Sequence, residues 1–516
     1  MRAHPKEIHL EKRYFWLVLV LFLCMRVVLQ ALIYRAGFKS ITADEFGRIV
    51  LASQWAENPH PIWGGGWLPF GEYLFGIALK LKWELLWIPR LITILFGLAS
   101  IIFMYLFSLS IFNDHRVATA STVWMGLNPI HVQLSSVPLT EMLYGALVVG
   151  MAWYFSRYLS SRKVTHLISA AILMAIANGF RFEAWLFSIV LIIFLFWEFF
   201  PILKSDVNLS MGLTLTGSAS LIIAFPVAWM IASYYQSGNF FSSLDFVRVY
   251  KATWQAAGTD FLAYARTILS SDPFLAILAP FGIGYLTIKK EKSKDKIWYI
   301  ALATIPFILF ISLHRGQIEP HGIMFRYMGL FTFFLYPAAA FLSIKLIHRF
   351  SDSEILIKWM IIGLVLVIGV FQVNNNFRLI INDLSATGLN VGQKIRYLRE
   401  SNPTISQRPV MVELSYWEYL AIQVGANDIN EVIYDRPIDL QNHQNESWIS
   451  TDFEAFLGCL ATNNVSYVIV KSPSLKQIIE QRFEYPSSTS VNDYAFFPVL
   501  ESTIEDYRGP GVCPPK

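Results

Sequence analysis

Long apolar stretches recur along the first 373 residues, separated by short polar interruptions. A bilayer span takes roughly 20 mostly apolar residues. Read that way, the pattern predicts about eleven spans, near 14–34, 87–112, 117–134, 138–156, 166–181, 184–201, 212–234, 273–288, 297–313, 327–347 and 355–373. Past residue 373 the rhythm changes. Short strand-like runs, PVMVEL (409–414), EVIYD (431–435), SYVIVK (466–471) and FFPVL (496–500), alternate with helical stretches near 416–424, 451–462 and 474–482. Such alternation predicts a layered α/β domain over 374–516. The fold expected is an α-helical polytopic membrane protein of about eleven transmembrane helices, residues 1–373, followed by a C-terminal extracytoplasmic α/β domain. Two segments inside the first part, 35–84 and 235–271, are long loops between spans. The first of them is too amphipathic to be a span.

Composition agrees with this division. Of 516 residues 55% are hydrophobic and 15% charged, against roughly 25% charged in an ordinary soluble chain. Three cysteines, Cys24, Cys459 and Cys513, exclude a disulfide-dense scaffold, and no CxxC pair suggests a zinc or redox site. The net charge of +4 matters less than where the cations lie. Arg2, Lys6, Lys12 and Arg13 precede the first span. The other basic groups are the Arg157–Lys163 loop, the Lys289–Lys296 run and the Lys345/Arg349 loop. All four fall on one side, which the positive-inside rule makes cytoplasmic. An odd number of spans then places the tail outside. The first apolar run is long for a signal peptide and lacks Ala-x-Ala cleavage chemistry, so it reads as a retained span. The plasma membrane is the expected location.

Several ionisable residues map to the outer ends of spans. Asp44 and Glu45 follow the first span, although Thr42-x-x-Glu45 also fits a capping box. Arg90 opens the second span and Glu141 the fourth. Arg181 and Glu183 lie at the turn from the fifth span to the sixth. Arg326 and Tyr327 open the tenth, preceded by His314, Arg315 and His321. Taken singly, each is a snorkelling arginine or a helix-end ion pair. Taken together, both signs converge on one membrane face. Arginines suit a phosphate, which guanidinium binds bidentately. A carboxylate suits proton removal from a hydroxyl. Arg26, with Gln30 one turn later in the first span, reads as packing inside the bundle. Trp63-Gly-Gly-Gly-Trp67 reads as an interfacial aromatic loop, or less readily as a substrate gate. In the tail, Ser415-Tyr-Trp-Glu418 fits a second capping box, and no Gly-rich phosphate loop is present.

With these residues in view, the chain resembles the GT-C superfamily of membrane glycosyltransferases. It is most similar to glycosyltransferase family 39, which includes protein O-mannosyltransferases and the aminoarabinose transferases of lipid A. The resemblance covers about residues 1–350 and rests on an ordered set. Asp44-Glu45 is followed by Trp67-Leu-Pro69, Arg90-Leu91, Asn128-Pro-Ile-His131-Val, Leu139-Thr-Glu141, Arg181-Phe-Glu183 and Arg326-Tyr327. It implies an inverting transfer of a sugar from a polyprenyl-phosphate or -diphosphate carrier to an acceptor hydroxyl on a lipid, glycan or protein. Asp44, with Glu45, would be the catalytic carboxylate. Arg90, Arg181, Arg315 and Arg326 would hold the phosphate. Glu141 and Glu183 would orient the arginines or bind sugar, and His321 and Tyr327 complete the substrate-binding set. The lipid-linked donor is the implied substrate and the bilayer the implied surroundings; a divalent metal is left open, and no nucleic acid is expected. Phe182 stands where many relatives carry proline, and the tail is unlike the β-trefoil insert of the mannosyltransferases.

Three other readings compete. Tyr416-Trp417-Glu418-Tyr419-Leu420 faintly resembles the Trp-Trp-Asp-Tyr-Gly motif of oligosaccharyltransferases, with the first Trp, the Asp and the Gly altered. A secondary transporter would show internal repeats and broken helices near mid-membrane, and the sequence shows no repeat. A non-catalytic homologue is the third.

Overall fold

The computed structural model describes residues 5–500 apart from 205–208, 244, 246–259, 261, 289–292, 315–320, 351–352, 381, 403–404, 406–407, 439–444 and 484–486. Helices run in the order α1 Pro5–Arg35, α2 Asp44–Glu57, α3 Phe70–Leu81, α4 Trp87–Phe112, α5 His115–Leu127, α6 Pro129–Leu134, α7 Thr140–Ser161, α8 Val164–Asn178, α9 Phe182–Lys204 and α10 Leu209–Ser237. They continue with α11 Leu262–Ser271, α12 Pro273–Ile288, α13 Lys294–His314, α14 His321–Phe333, α15 Tyr336–Phe350 and α16 Glu354–Arg378.

By length and composition six helices can cross a membrane, or up to eight if each of two bent pairs is one span. The bent pairs are α11–α12, at 118°, and α14–α15, at 51°. The other three expected spans, 117–134, 138–156 and 166–181, are also helical, but differently built. The stretch 117–134 is broken at Asn128, whose extended backbone (ψ 135°) ends α5 and whose side chain caps α6 at Ile130 N, with Pro129 at the first helical position. The helix α8 has only 15 residues. The helix α7 is long enough, but 16 of its 22 residues are buried. A helix wrapped by other helices need not be apolar all round. By contrast, only 11% of the most apolar window of α16 is buried.

Compactness divides the chain into two units: Met1–Phe38, Pro59–Leu74 and Arg90–Ile381 in the first; Lys39–Asn58, Phe75–Pro89 and Asn382–Lys516 in the second. At the heart of the first unit lies the continuous stretch 124–146, every residue of which is buried. A hydrogen-bonded junction holds it. Asp272, at the break between α11 and α12, accepts from Trp124 Nε1 (2.6 Å), Asn128 Nδ2 (3.3 Å) and Gln372 Nε2 (2.5 Å), and caps α12 at Leu275 N (2.9 Å). Four donors on one fully buried carboxylate satisfy a group that would otherwise be costly at membrane depth.

The second unit contains α17 Ser385–Ser401, β1 Val410–Val412, α18 Tyr419–Ala426, β2 Val432–Tyr434, α19 Trp448–Thr451, α20 Phe453–Thr462, β3 Tyr467–Val470, α21 Pro473–Phe483, β4 Thr489–Val491 and β5 Tyr494–Pro498. The sheet order is β2-β1-β3-β5-β4, parallel across the first three and antiparallel for the last two. Alternation sorts the side chains. Met411, Ile433, Val468 and Val470 join the core under α20 and α21. Val410, Val412, Val432 and Ile469 join that under α17 and α18. The four expected strands are thus found, β1, β2 and β3 shorter than their runs of β-formers and β5 displaced by two residues, while α17, α19 and β4 have no counterpart in the sequence pattern.

The loop residues of this unit fold with its tail residues. Lys39 N donates to Asn382 Oδ1 (2.8 Å), Asp383 N to Ser40 O (3.1 Å), Leu85 N to Asn427 Oδ1 (2.8 Å), and Arg396 pairs with Glu84 (2.9 Å). The helices α17 and α18 touch backbone to backbone through Gly388, Gly392 and Gly425. A Cβ on Gly392 would lie 2.3 Å from Ile422 O, whereas one on Gly363 of α16 would meet nothing within 4 Å. Gly392→Ala is therefore expected to lower stability by about 1–3 kcal/mol, and Gly363→Ala to leave it within about 0.5 kcal/mol. Thermal unfolding of the purified full chain in micelles measures both; equal melting temperatures for the two variants count against the close crossing.

Candidate functional site

Four charges meet in the first unit. Glu141 lies in the first turn of α7 and Glu183 in the first turn of α9, where helix N-termini favour negative charge. Arg181 precedes α9, and Arg326 stands on α14. One oxygen of Glu141, Oε1, accepts from both Arg181 Nη1 (2.8 Å) and Arg326 Nε (2.7 Å). Arg181 also grips Glu183 with two parallel bonds, Nε to Oε2 (2.9 Å) and Nη2 to Oε1 (2.5 Å). Its guanidinium carbon lies 5.9 Å from the centre of the Tyr327 ring. Side-chain exposures of 3%, 4%, 12% and 13% for Glu141, Arg326, Arg181 and Glu183 put the cluster out of bulk water. Tyr144, one turn along α7 from Glu141, is buried within the field of all four.

The turn carrying Arg181 is fixed by packing and hydrogen bonds. Trp185 Nε1 donates to Asn178 O (3.1 Å), Asn178 Nδ2 to Ile222 O (2.8 Å), and Phe70 N to Gly179 O (3.1 Å). On the other side, Phe187 of α9 stacks on Phe331 of α14 with centroids 5.9 Å apart, locking the two arginine-bearing elements in register.

Glu141, Arg181, Glu183, Arg326 and Tyr327 are thus brought together. Arg90, 2% exposed, belongs to the same unit, its guanidinium 5.3 Å from the centre of the Tyr34 ring. Asp44 and Glu45 belong to the second unit, in the first turn of α2. Glu45 is fully buried and accepts from Ile41 N (3.2 Å), while Thr42 Oγ1 accepts from Asp44 N (3.4 Å). The capping box expected at Thr42–Glu45 is therefore displaced: the helix cap is Ala43, and the two side chains bond one residue away from the box pattern. Arg315 lies outside the described residues. His321 opens α14, and its side chain is likewise outside them. Among the described residues no group of three or more His, Cys, Asp or Glu side chains could hold a metal ion.

The tail corrects a second expectation. Glu418 does not cap α18 by its side chain. Instead it is buried, pairing with Lys471 Nζ (3.0 Å) and accepting from Tyr494 OH (2.7 Å). Burial, with Glu418 hydrogen-bonded beside it, pushes the Tyr494 hydroxyl pKa up. Open α/β sheets take ligands beyond the carboxyl ends of their parallel strands, where strand order reverses. Here that edge, between β1 and β3, is filled from within: Glu413 accepts from Lys471 N (2.6 Å), Ser472 N (2.7 Å) and the Ser472 hydroxyl.

Tyr144 and Tyr34 were not singled out by sequence. Their signal is spacing alone: Tyr144 lies three residues after Glu141, and Tyr34 four after Gln30 and eight after Arg26.

The fold is that of the GT-C membrane glycosyltransferases. ArnT from Cupriavidus metallidurans, solved bound to undecaprenyl phosphate, matches 94% of this chain and 98% of its own, with a TM-score of 0.61 at 10% identity. The apo oligosaccharyltransferase of Archaeoglobus fulgidus matches 92% of this chain and 70% of its own, with a TM-score of 0.54 at 16% identity. The oligosaccharyltransferase AglB from Archaeoglobus fulgidus, in complex with an inhibitory peptide and a dolichol-phosphate, matches 89% of this chain and 70% of its own, with a TM-score of 0.51 at 16% identity. No protein-family model and no curated protein sequence matches the chain.

Glu141→Ala leaves two buried guanidinium groups without their shared acceptor, at an expected cost of about 3–5 kcal/mol. Glu183→Ala leaves Arg181 its bond to Glu141, and about 1–3 kcal/mol is expected. Chemical unfolding of the two variants in micelles compares them; a Glu183→Ala cost equal to or above that of Glu141→Ala removes Glu141 from the centre of the cluster.

Proposed function

We propose that the chain is an inverting glycosyltransferase. It moves a sugar from a polyprenyl-phosphate carrier to an acceptor hydroxyl on the outer side of the membrane. The observation that carries this reading is the pair of buried arginines sharing Glu141 in a fold that, in ArnT, was solved with undecaprenyl phosphate bound. A buried guanidinium pair already oriented by carboxylates suits a lipid phosphate, since its donors need no reorganisation when charge develops. The balanced net charge of the four side chains keeps the resting site tolerable without a ligand.

The resemblance gives Asp44, a residue of the second unit, the role of taking the proton of the acceptor hydroxyl. The oxygen attacks the anomeric carbon from the face opposite the phosphate, and a new C–O bond forms as the glycosidic bond to phosphate breaks. Polyprenyl phosphate leaves with the electron pair, and the anomeric configuration inverts. Arg181 and Arg326 stabilise the departing phosphate, and Glu141 and Glu183 hold the arginines in position. Arg90 and Tyr327 are assigned to donor binding. Glu45, buried and bonded to Ile41 N, is assigned to shaping the start of α2. The oligosaccharyltransferase-like reading is weakened by Glu418, which is committed to Lys471 and Tyr494 inside its own domain.

An outer location for the tail is supported by Cys459, which is disulfide-bonded, since disulfides persist on the oxidising side of a membrane. A cysteine introduced at Glu400 is expected to react with an impermeant maleimide in intact cells, and one at Lys163 only after permeabilisation; the reverse pattern would invert the topology.

The chemistry is tested with membranes carrying wild type or Asp44→Asn, given labelled polyprenyl-phosphate sugars and envelope acceptor. Asp44→Asn is expected to insert normally and to lose at least about 100-fold in donor consumption, the lower range for a general base. Equal consumption by both proteins would remove Asp44 from the mechanism.

A further inference from the structure

One stripe of α1 carries Arg26, Gln30 and Tyr34 at spacing i, i+4, i+8, which puts all three on a single helix face. Arg26 is 2% exposed. Among the described residues no carboxylate pairs with it. Its partners are neutral: Nη1 donates to Gln30 Oε1, and Nη2 to Ser135 Oγ at 2.6 Å. A guanidinium buried at membrane depth without a counter-charge is a poor way to fill space, because an apolar side chain would do so at far lower cost.

What Arg26 supplies is a fork. One prong orients the Gln30 amide, whose Nε2 reaches Val132 O at 3.3 Å. The other meets Ser135, the residue that caps the carboxyl end of α6. One turn further, Tyr34 OH donates to Ser136 O at 2.5 Å. All three bonds land on residues 132–136, and Glu141 follows five residues later. The opposite side of this turn is closed by α4. A Cβ on Gly97 would lie 2.5 Å from Ser135 Cβ, and Ser100 Oγ is hydrogen-bonded to His131 Nε2 at 2.9 Å. Tyr34 also carries Arg90 over its ring.

We propose that Arg26, Gln30 and Tyr34 form a polar clamp on the turn between α6 and α7, and that this clamp sets where Glu141 presents its oxygen to Arg181 and Arg326. They are positioning residues that act through Glu141, and their effect on turnover rests on the glycosyl transfer proposed above. The cost of burying Arg26 is then explained by the accuracy of an arginine pair some residues away.

Tyr34→Phe removes one hydroxyl and no volume that matters. Tyr299→Phe is its control, since Tyr299 OH makes a comparable buried bond to Phe334 O (2.8 Å) outside the clamp. Two readouts are taken on the purified full chain in nanodiscs: hydrogen exchange of peptides covering 132–144, and steady-state kinetics with a labelled polyprenyl-phosphate sugar. Tyr34→Phe is expected to speed exchange in 132–144 and to lower kcat/KM for donor about ten-fold, as small misplacements of positioning groups do. Tyr299→Phe is expected to change neither, at a similar melting temperature. Unchanged exchange in Tyr34→Phe overturns the clamp. Faster exchange with unchanged kcat/KM overturns its link to the arginine pair. If wild type consumes no donor, the proposed function falls, and the exchange comparison still decides the clamp. Ser135→Ala repeats the test from the other side of the contact, and Arg26→Lys is expected not to restore the two-pronged geometry.

Discussion

A carboxylate as deeply buried as Glu141 is tolerable because two guanidinium groups converge on one of its oxygens, and each guanidinium is tolerable for the same reason. That mutual dependence dictates much of the surrounding architecture. The helix starting at Thr140 must begin where it does for its first turn to face Arg181. The turn after Asn178 must hold Arg181 rigidly, and α14 must lie against α9 for Arg326 to arrive. The buried stretch 124–146, with its short helix α6 between the break at Asn128 and the turn before α7, delivers that geometry. Long, regular, wholly apolar helices could not deliver it, and α10 and α16, whose most apolar windows are 22% and 11% buried, take little part in it.

That contrast explains what could and could not be read along the chain. Hydropathy finds helices that face lipid, since those have to be apolar whatever else they do. So α1, α4, α9, α10, α13 and α16 were legible. It does not tell a full span from a broken or a short helix: the break at Asn128–Pro129 and the 15 residues of α8 look like ordinary spans. Ionisable residues at span ends were legible one at a time. Their grouping was not, because it depends on which helices neighbour one another. Glu141, Arg181, Glu183, Arg326 and Tyr327 share a cluster, and nothing in their spacing along the chain announces it. Capping boxes failed twice for a related reason. Thr42–Glu45 and Ser415–Glu418 carry the right residue types, but Glu45 bonds to Ile41 N and Glu418 turns to Lys471 and Tyr494. Tertiary partners outcompeted the local motif.

Arg26 shows the limit from the other direction. In the sequence it is an isolated cation in an apolar span, and packing was its simplest reading. One of its partners, Gln30, is four positions away and itself reaches Val132, 102 positions further on; the other, Ser135, is 109 positions away. A polar ladder on one helix face is visible only after the opposing turn is known.

The second unit draws together residues from three separate places in the chain, with Lys39, Ser40 and Glu84 bonded to Asn382, Asp383 and Arg396. It follows that the tail is not a detachable module. Cutting the chain near residue 374 would leave the carboxyl-terminal piece without the loop helices that complete it, and would leave α2 without its companions. Exchange of this domain between related proteins, in evolution or by recombination in the laboratory, has to carry the loop segments and the tail as a matched set. Variation in the two is therefore bound together, although residues 90–381 of the chain lie between them.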